Sequence, residues 1–292
     1  MQDQIPKRII QTGKHINQPL QGRAVMANMR LLNPDYEYLF FDDAQVEEFI
    51  QREFPQYHSL FHAFPFPIQR YDFFRYLVVY RYGGFYFDLD VLLASNLSPL
   101  LEYGCVFPFE ALSVSHFLRN NLGMDWQMGN YAFGASPGHP FLEAVIKNCV
   151  KAQADPSWVK PMMRGSPPLI KDEYSVLNST GPGLISRTLA ESGDLARMVT
   201  VLFPDDVCDA RNWNRFGEYG VHLKDSSWRS KRSFVARKFT DYCWRWMEYR
   251  NVQKSLKLGK SRSHLTKPLI QNTDDKRTLA SVSPIEKVAK ED

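Results

Sequence analysis

The chain has 292 residues, 44% of them hydrophobic and 14% aromatic, enough for one substantial core in what is commonly a single α/β domain. A net charge of +4, from 36 Lys/Arg against 32 Asp/Glu, hides a basic block: residues 224–267 hold 13 Lys/Arg and three acids (+10), leaving −6 elsewhere. Cys105, Cys149, Cys208 and Cys243 form no CxxC or Cys/His cluster, so thiols of a reducing compartment are expected and a zinc site is not. No run approaches the roughly 18–20 apolar residues of a membrane-spanning helix. Met-Gln-Asp-Gln-Ile-Pro-Lys lacks the apolar centre of a signal peptide, so a cytoplasmic location is expected.

In chain order, the spacing predicts a buried strand over 8–11 that opens into a polar loop. Gln11 and Thr12 then stand at the carboxyl end of a strand, where open α/β sheets gather their ligands. A helix is expected over 21–32, an apolar strand over 36–41, and a helix over 44–53 capped by Asp42-Asp43.

Residues 70–90 organise the rest. Phe73, Phe74, Leu77, Val78 and Tyr80 fall at helical spacing, with Asp72 and Arg75 one turn apart, so a buried helix with one polar edge is expected. Gly83-Gly84 ends it, because a left-handed cap favours a residue without Cβ. The β-type run Phe85-Tyr86-Phe87 then delivers Asp88 and Asp90 at a strand exit, on one face with Tyr86, while Leu89 turns into the core. Carboxylates so placed suit Mg²⁺ or Mn²⁺, whose shell is completed by phosphate oxygens and water. Val91–Leu93 is expected to continue this strand, and 105–109 to form another ending at Glu110. The alternation of strands and helices argues for an α/β fold with a mainly parallel central sheet and helices on both faces.

Further on, 129–140 reads as a strand and tight turn before a helix over 141–151. Asn130, neutral and at a strand start, is placed to hydrogen-bond a polar ligand, and His139 to orient backbone at the helix start. The Pro- and Met-rich residues 153–175 are expected to be a mobile loop suited to acceptor recognition. Thr180-Gly181-Pro182-Gly183 opens a helix over 184–191, whose free N–H groups suit an anion. A strand over 199–203 and the segment 219–228 close the ordered part. Ser233–Leu256 reads as a basic amphipathic helix whose aromatic face fits an anionic membrane surface; a packed helix with a solvated basic face fits the pattern equally. The basic residues carry no nucleic-acid reader motif.

The Asp/Arg helix followed by Tyr-Gly-Gly-x-Tyr-x-Asp-x-Asp closely resembles the signature of the glycosyltransferases that carry a sugar-binding region with a DXD motif. That family includes α-1,6-mannosyltransferases and inositol-phosphoceramide mannosyltransferases. The opening Ile-Pro-Lys-x-Ile-x-Gln-Thr, the segment from Asn130 to Gly-His-Pro140, Thr-Gly-Pro, and His222-x-x-x-x-Ser227-Trp228 resemble further elements of it. The resemblance implies a Rossmann-like GT-A fold over 1–232, followed by the basic helix (233–258) and a disordered tail (259–292). It implies transfer of a hexose, with retention, from GDP-mannose or a UDP-hexose to a glycan or lipid-linked acceptor, in capsule, lipopolysaccharide or other surface polysaccharide synthesis at the inner membrane face.

In that reading Asp88, Asp90 and His222 hold Mn²⁺ or Mg²⁺, Asp72 binds hydroxyls of the donor sugar, and Arg75 steadies Asp72 or the phosphate side. Gln11, Thr12, Tyr86, Asn130, Gly181, Ser227 and Trp228 line the donor. Leu-Lys-Asp after His222 departs from many relatives. No acid is clearly placed as a nucleophile; Asp125 and Glu110 are candidates, and an internal-return route fits equally. Two rivals are a haloacid-dehalogenase-type phosphatase, with Asp88 as nucleophile and Asp205-Asp206 binding Mg²⁺, and a non-catalytic protein bound to a membrane surface.

Overall fold

The computed structural model describes residues 4–164, 166, 170–224 and the positions 242, 246, 249, 250, 252 and 253. The chain runs β1 (Arg8–Thr12), α1 (Leu20–Leu32), β2 (Glu37–Phe41), α2 (Asp43–Glu53), α3 (His58–Ala63), α4 (Pro67–Tyr82), β3 (Gly84–Phe87) and β4 (Val91–Leu93). It continues through β5 (Cys105–Leu112), α5 (His116–Asn121), β6 (Trp126–Met128), β7 (Ala132–Ala135), α6 (Pro140–Ala154), α7 (Pro156–Val159), α8 (Lys171–Ser179), α9 (Pro182–Glu191), β8 (Thr200–Leu202), β9 (Arg215–Phe216) and β10 (Gly220–His222).

A seven-stranded sheet has the order β2-β1-β3-β7-β5-β6, with β8 also on β5. Pairings set β1, β2, β3, β5 and β8 in one direction and β6 and β7 against them, so the sheet is mainly parallel, as expected. Its strands alternate between two cores. Ile10, Tyr86, Phe107 and Phe133 face the helices α2, α4, α6 and α9, while Ile9, Phe85, Phe87 and Val106 face α1 and a small second sheet. Helices therefore cover both faces.

The local rules read from the sequence explain most boundaries. Asp42 caps α2 in a reciprocal box with Gln45, and the His139 side chain accepts from the Phe141 N–H at the start of α6. In α4, Phe73, Phe74, Tyr76, Leu77, Val78 and Val79 are all fully buried, so this helix is enclosed on nearly every side.

Gly83 and Gly84 both have positive φ, 65° and 106°. A Cβ on Gly84 would stand 2.7 Å from the Arg8 carbonyl oxygen on β1. The pair thus closes the helix and lets β3 approach β1. Gly84→Ala combines a forbidden dihedral with a backbone clash and is expected to cost about 2–5 kcal/mol, read as a lower urea midpoint.

Three expectations are corrected. The strand that begins at Gly84 ends at Phe87, and Asp88–Asp90 form a turn closed by the Val91 N–H on the Asp88 carbonyl (3.2 Å). Val91–Leu93 does not continue β3; it enters a separate sheet of order β4-β10-β9. Residues 153–175 are not one loop: Asp155 caps α7 through Ser157, and α8 buries Tyr174 and Val176. Prolines at 156 and 161 interrupted the helical pattern without abolishing it. Among the described residues no helix is long and apolar enough to cross a membrane. Ser227, Trp228, the tail over 259–292, and the helix over 233–258 apart from the six positions named lie outside the described residues. At three of those positions, Tyr242, Trp246 and Tyr249 are exposed.

Candidate active site

The carboxyl ends of β1 and β3 meet the turn that carries Asp88 and Asp90. Arg75, projecting from α4, is 3% exposed and draws two acids together. Its guanidinium lies 3.2 Å from Asp72 and 3.3 Å from Asp88 and donates to the Asn130 carbonyl at 2.8 Å. Burial works against its charge, but Asp88, Tyr86 and Asp72 outweigh that and hold it protonated.

Asp72 is equally enclosed. Asn130 Nδ2 and Thr180 Oγ1 each donate to it at 2.9 Å, and Tyr76 links the same groups by donating to the Thr180 carbonyl at 2.7 Å and accepting from Asn130 at 3.0 Å. Burial pushes the Asp72 carboxyl up, with Arg75, Thr180 and Asn130 pulling the other way. At 4% exposure, Asp72 organises this network from below, whereas the sequence reading gave it sugar hydroxyls.

Above it, Tyr86 donates to Asp88 at 2.9 Å. The Asp88 carboxyl is pushed up to about 6: burial is the largest cause, Arg75 opposes it, and the charge of Asp90 adds to it. Asp90 pairs with His222 Nε2 at 3.1 Å, and the Leu223 N–H donates to the Asp90 carbonyl at 2.8 Å. The His222 ring stacks on Tyr131 at 4.2 Å, and Tyr131 donates to the Arg215 carbonyl at 3.0 Å. The β4–β10 pairing sets Val91 opposite His222, which is how residues 132 positions apart become neighbours.

Ligand atoms of Asp88, Asp90 and His222 do not all fall within 4.8 Å of one another, because Arg75 and Tyr86 hold Asp88 toward the helix side. The donor set nevertheless fits a cation. The 3.1 Å Asp90–His222 separation is close to the edge of about 2.9 Å between adjacent ligands of an octahedral Mg²⁺ shell. His222 Nδ1 is buried without a hydrogen-bond partner among the described residues. Imidazole favours Mn²⁺ over Mg²⁺ as the occupant.

Other predicted residues fall in place differently. Gln11 is fully buried; its amide accepts from Tyr38 at 2.7 Å and reaches the Asp88 carbonyl at 3.4 Å. It therefore supports the turn from beneath. Thr12 donates to the Phe41 carbonyl at 2.9 Å, tying β1 to β2. The Gly181 N–H is taken by the Val176 carbonyl, and a Cβ on Gly181 or Gly183 would meet Leu177 or Asn178 in α8. These glycines permit close packing of α8 and α9.

Sequence reasoning missed the roles of Thr180, Tyr76 and Tyr131. Thr180 lay in view within Thr-Gly-Pro, but its partner is 108 residues away. The phosphatase arrangement is not formed: Asp205 and Asp206 follow β8, three strands from β3, or about 14 Å at the usual strand spacing.

Residues 23–107 match the family described as glycosyltransferase sugar-binding region containing DXD motif. The chain is 34% identical over 144 residues to inositol phosphoceramide mannosyltransferase 3 of Schizosaccharomyces pombe, covering 49% of this chain and 37% of that protein. It is 32% identical over 182 residues to mannosyl phosphorylinositol ceramide synthase CSH1 of Saccharomyces cerevisiae, covering 62% and 42%. The chain thus spans less than half the length of these relatives. Among solved structures, the UDP-bound glycosyltransferase domain from the YGT toxin aligns with a TM-score of 0.46 and 9% identity, over 68% of this chain and 80% of that one. The Asp88–Asp90 pair lies inside the matched segment, so what this chain shares with the glycosyltransferases containing the DXD motif includes both acids of the turn.

Proposed function

We propose that the protein is a metal-dependent, retaining mannosyltransferase that takes its sugar from GDP-mannose and delivers it to a glycan or glycolipid. The observation that carries the reading is the Asp90–His222 pair, 3.1 Å apart beside Asp88, at the open end of the parallel strands, with Asp88 and Asp90 inside the family-matched segment. Relatives named for mannosyl transfer to inositol phosphoceramide support mannose as the sugar and a lipid-linked acceptor.

Asp90 and His222 would hold a divalent cation, which would supply positive charge to offset that of the diphosphate leaving group. Asp88, held by Arg75 and Tyr86 beside that pair, would add a second carboxylate to the site. Arg75 offsets the charges of Asp72 and Asp88 and keeps the turn in one geometry. Asn130 and Tyr86, both tied into this network, border the sugar. Burial, with the charge of Glu110 adding to it, pushes the Tyr131 hydroxyl up, and Tyr131 stacks on His222. Glu110 is the candidate to steady the oxocarbenium-like sugar or receive the acceptor proton. The basic segment over 224–267 favours action at an anionic membrane face, in assembly of a surface glycan.

The test is release of nucleoside diphosphate from GDP-mannose and a panel of UDP-hexoses, with Mn²⁺ or with EDTA. GDP release that EDTA abolishes and Mn²⁺ restores is the expected result. Release from a UDP-sugar alone replaces the donor, and phosphomonoester hydrolysis without release from any donor overturns the transferase.

A further inference from the structure

Outside the DXD region, one set of side chains converges as metal ligands do. Among the described residues, Glu47, His58 and His62 are the one group of three His, Cys, Asp or Glu whose ligand atoms lie within 4.8 Å of one another. Glu47 projects from α2, His58 and His62 from α3. The two histidines are four residues apart on one helical face, and the turn Pro55–Tyr57 folds that face back on α2. We propose that Glu47, His58 and His62 form a zinc site that fastens α2 to α3.

The distances carry the assignment. Zinc bound tetrahedrally at about 2.0–2.1 Å sets its ligand atoms about 3.3 Å apart. His62 Nε2 lies 3.3 Å from His58 Nε2 and 3.1 Å from Glu47 Oε1, and His58 Nε2 lies 2.6 Å from Glu47 Oε1. Two edges of the tetrahedron are already in place, and the third opens by less than 1 Å.

Gln51 supplies the fourth corner. Its amide is 3.0 Å from Glu47 Oε1 and 3.3 Å from His58 Nε2. Turned about its last torsion, it presents oxygen in place of nitrogen, an alternative that coordinates alone do not distinguish. Otherwise two imidazoles and an amide all crowd one carboxylate oxygen. A cation replaces that crowding with one partner for all of them.

The ligand chemistry selects the metal. Two imidazoles and one carboxylate suit Zn²⁺ and its mimic Co²⁺, and not Mg²⁺, which prefers oxygen. The absence of clustered cysteines argued against zinc from sequence, but this site contains none. All three side chains are about one-third to one-half exposed, so the site loads from solvent. Arg70, at the start of α4, donates to the His62 carbonyl at 3.3 Å, so the clamp holds the approach to the helix that carries Asp72 and Arg75.

The experiment titrates the full chain with Co²⁺ in excess Mg²⁺ and records tetrahedral d–d absorption. Zn²⁺ stoichiometry and melting temperature are measured in parallel, for wild type, Asp90→Asn, Glu47→Gln and the double variant His58→Gln/His62→Gln. The expected result is one tight equivalent and a rise in melting temperature, both kept in Asp90→Asn. Affinity falls at least tenfold in Glu47→Gln, and the signal vanishes in the double variant. Circular dichroism shows that the half-exposed histidine variants remain folded. An absorption that follows Asp90→Asn, or a titration identical in wild type and the double variant, overturns the proposal.

Discussion

Asp90→Asn is expected to lower metal-dependent turnover by about 10²–10³-fold, the loss typical when a group that stabilises charge in the transition state is removed. The substitution keeps the size of the side chain, and the Leu223 N–H still finds the residue 90 carbonyl. It removes the anionic partner of His222 at 3.1 Å and with it the charge that draws a cation to the turn. Stability moves the other way. Asp90 is one of the groups pushing the Asp88 carboxyl up, so the variant relieves a like-charge contact and melts at or slightly above the wild-type temperature. Steady-state rates with saturating Mn²⁺, beside a thermal melt in EDTA, read both effects. Wild-type turnover in this variant would remove the cation from the mechanism.

Arg75→Met carries the largest expected cost in stability, about 3 kcal/mol or more, because it strips the cation from two acids of which Asp72 is only 4% exposed. The loss depends on pH in a definite direction. In the folded chain Asp88 sits at about 6, against about 3.9 for an ordinary aspartate. A carboxyl raised by folding contributes stability that is complete below its unfolded value and is lost as pH rises through the folded one. Arg75 restrains the rise, so in its absence the folded values of Asp88 and Asp72 climb further. The deficit relative to wild type therefore grows as pH increases above about 6. Urea midpoints at about pH 5 and pH 8 test this; a pH-independent deficit would mean that lost packing of the arginine stem, and not charge, dominates. Lysine is a poor substitute, since a single ammonium cannot span Asp72, Asp88 and the Asn130 carbonyl together.

Legibility in the sequence followed the range of the interaction. Caps and turns act over three or four residues, so Asp42, His139 and the Gly83-Gly84 pair were read with their structural roles. The enclosed helix α4 was read from its spacing, because a helix buried on most sides is apolar on most sides. Elements held by partners elsewhere were not legible. β9 has two residues and β6 and β10 three each, too short for any period, and they exist because β5 offers an edge to β6, β4 to β10 and β10 to β9.

The site shows the same division. Asp88 and Asp90 were marked by their strand, but the extended geometry assumed for them gives way to a turn, because β4 must leave the plane of β3 to join another sheet. Asp72, Gln11 and Gly181 were assigned to ligand by their place in the predicted elements and by the family resemblance. Their polar groups are engaged by Thr180, Asn130, Tyr38 and Val176, at separations of 108, 58, 27 and five residues. An unspent hydrogen-bonding group is what a ligand needs, and only the fold says which groups are spent.

The turn at Asp88–Asp90 lies on the seam between the two sheets: β3 belongs to one, β4 to the other, and His222 arrives on the far strand of a hairpin that closes the second. The family-matched segment over 23–107 consequently holds half of its own site. It lacks β1, on which β3 is laid, β7 on the opposite edge of β3, and the strand that brings His222 to Asp90. Cut out alone, it would expose both edges of β3 and leave Asp90 without its imidazole. The smallest piece of this chain that keeps both edges of β3 and the Asp90–His222 pair begins before Arg8 and runs past His222, and a graft of the tripeptide onto another scaffold would transplant the acids without the architecture that brings His222 to them.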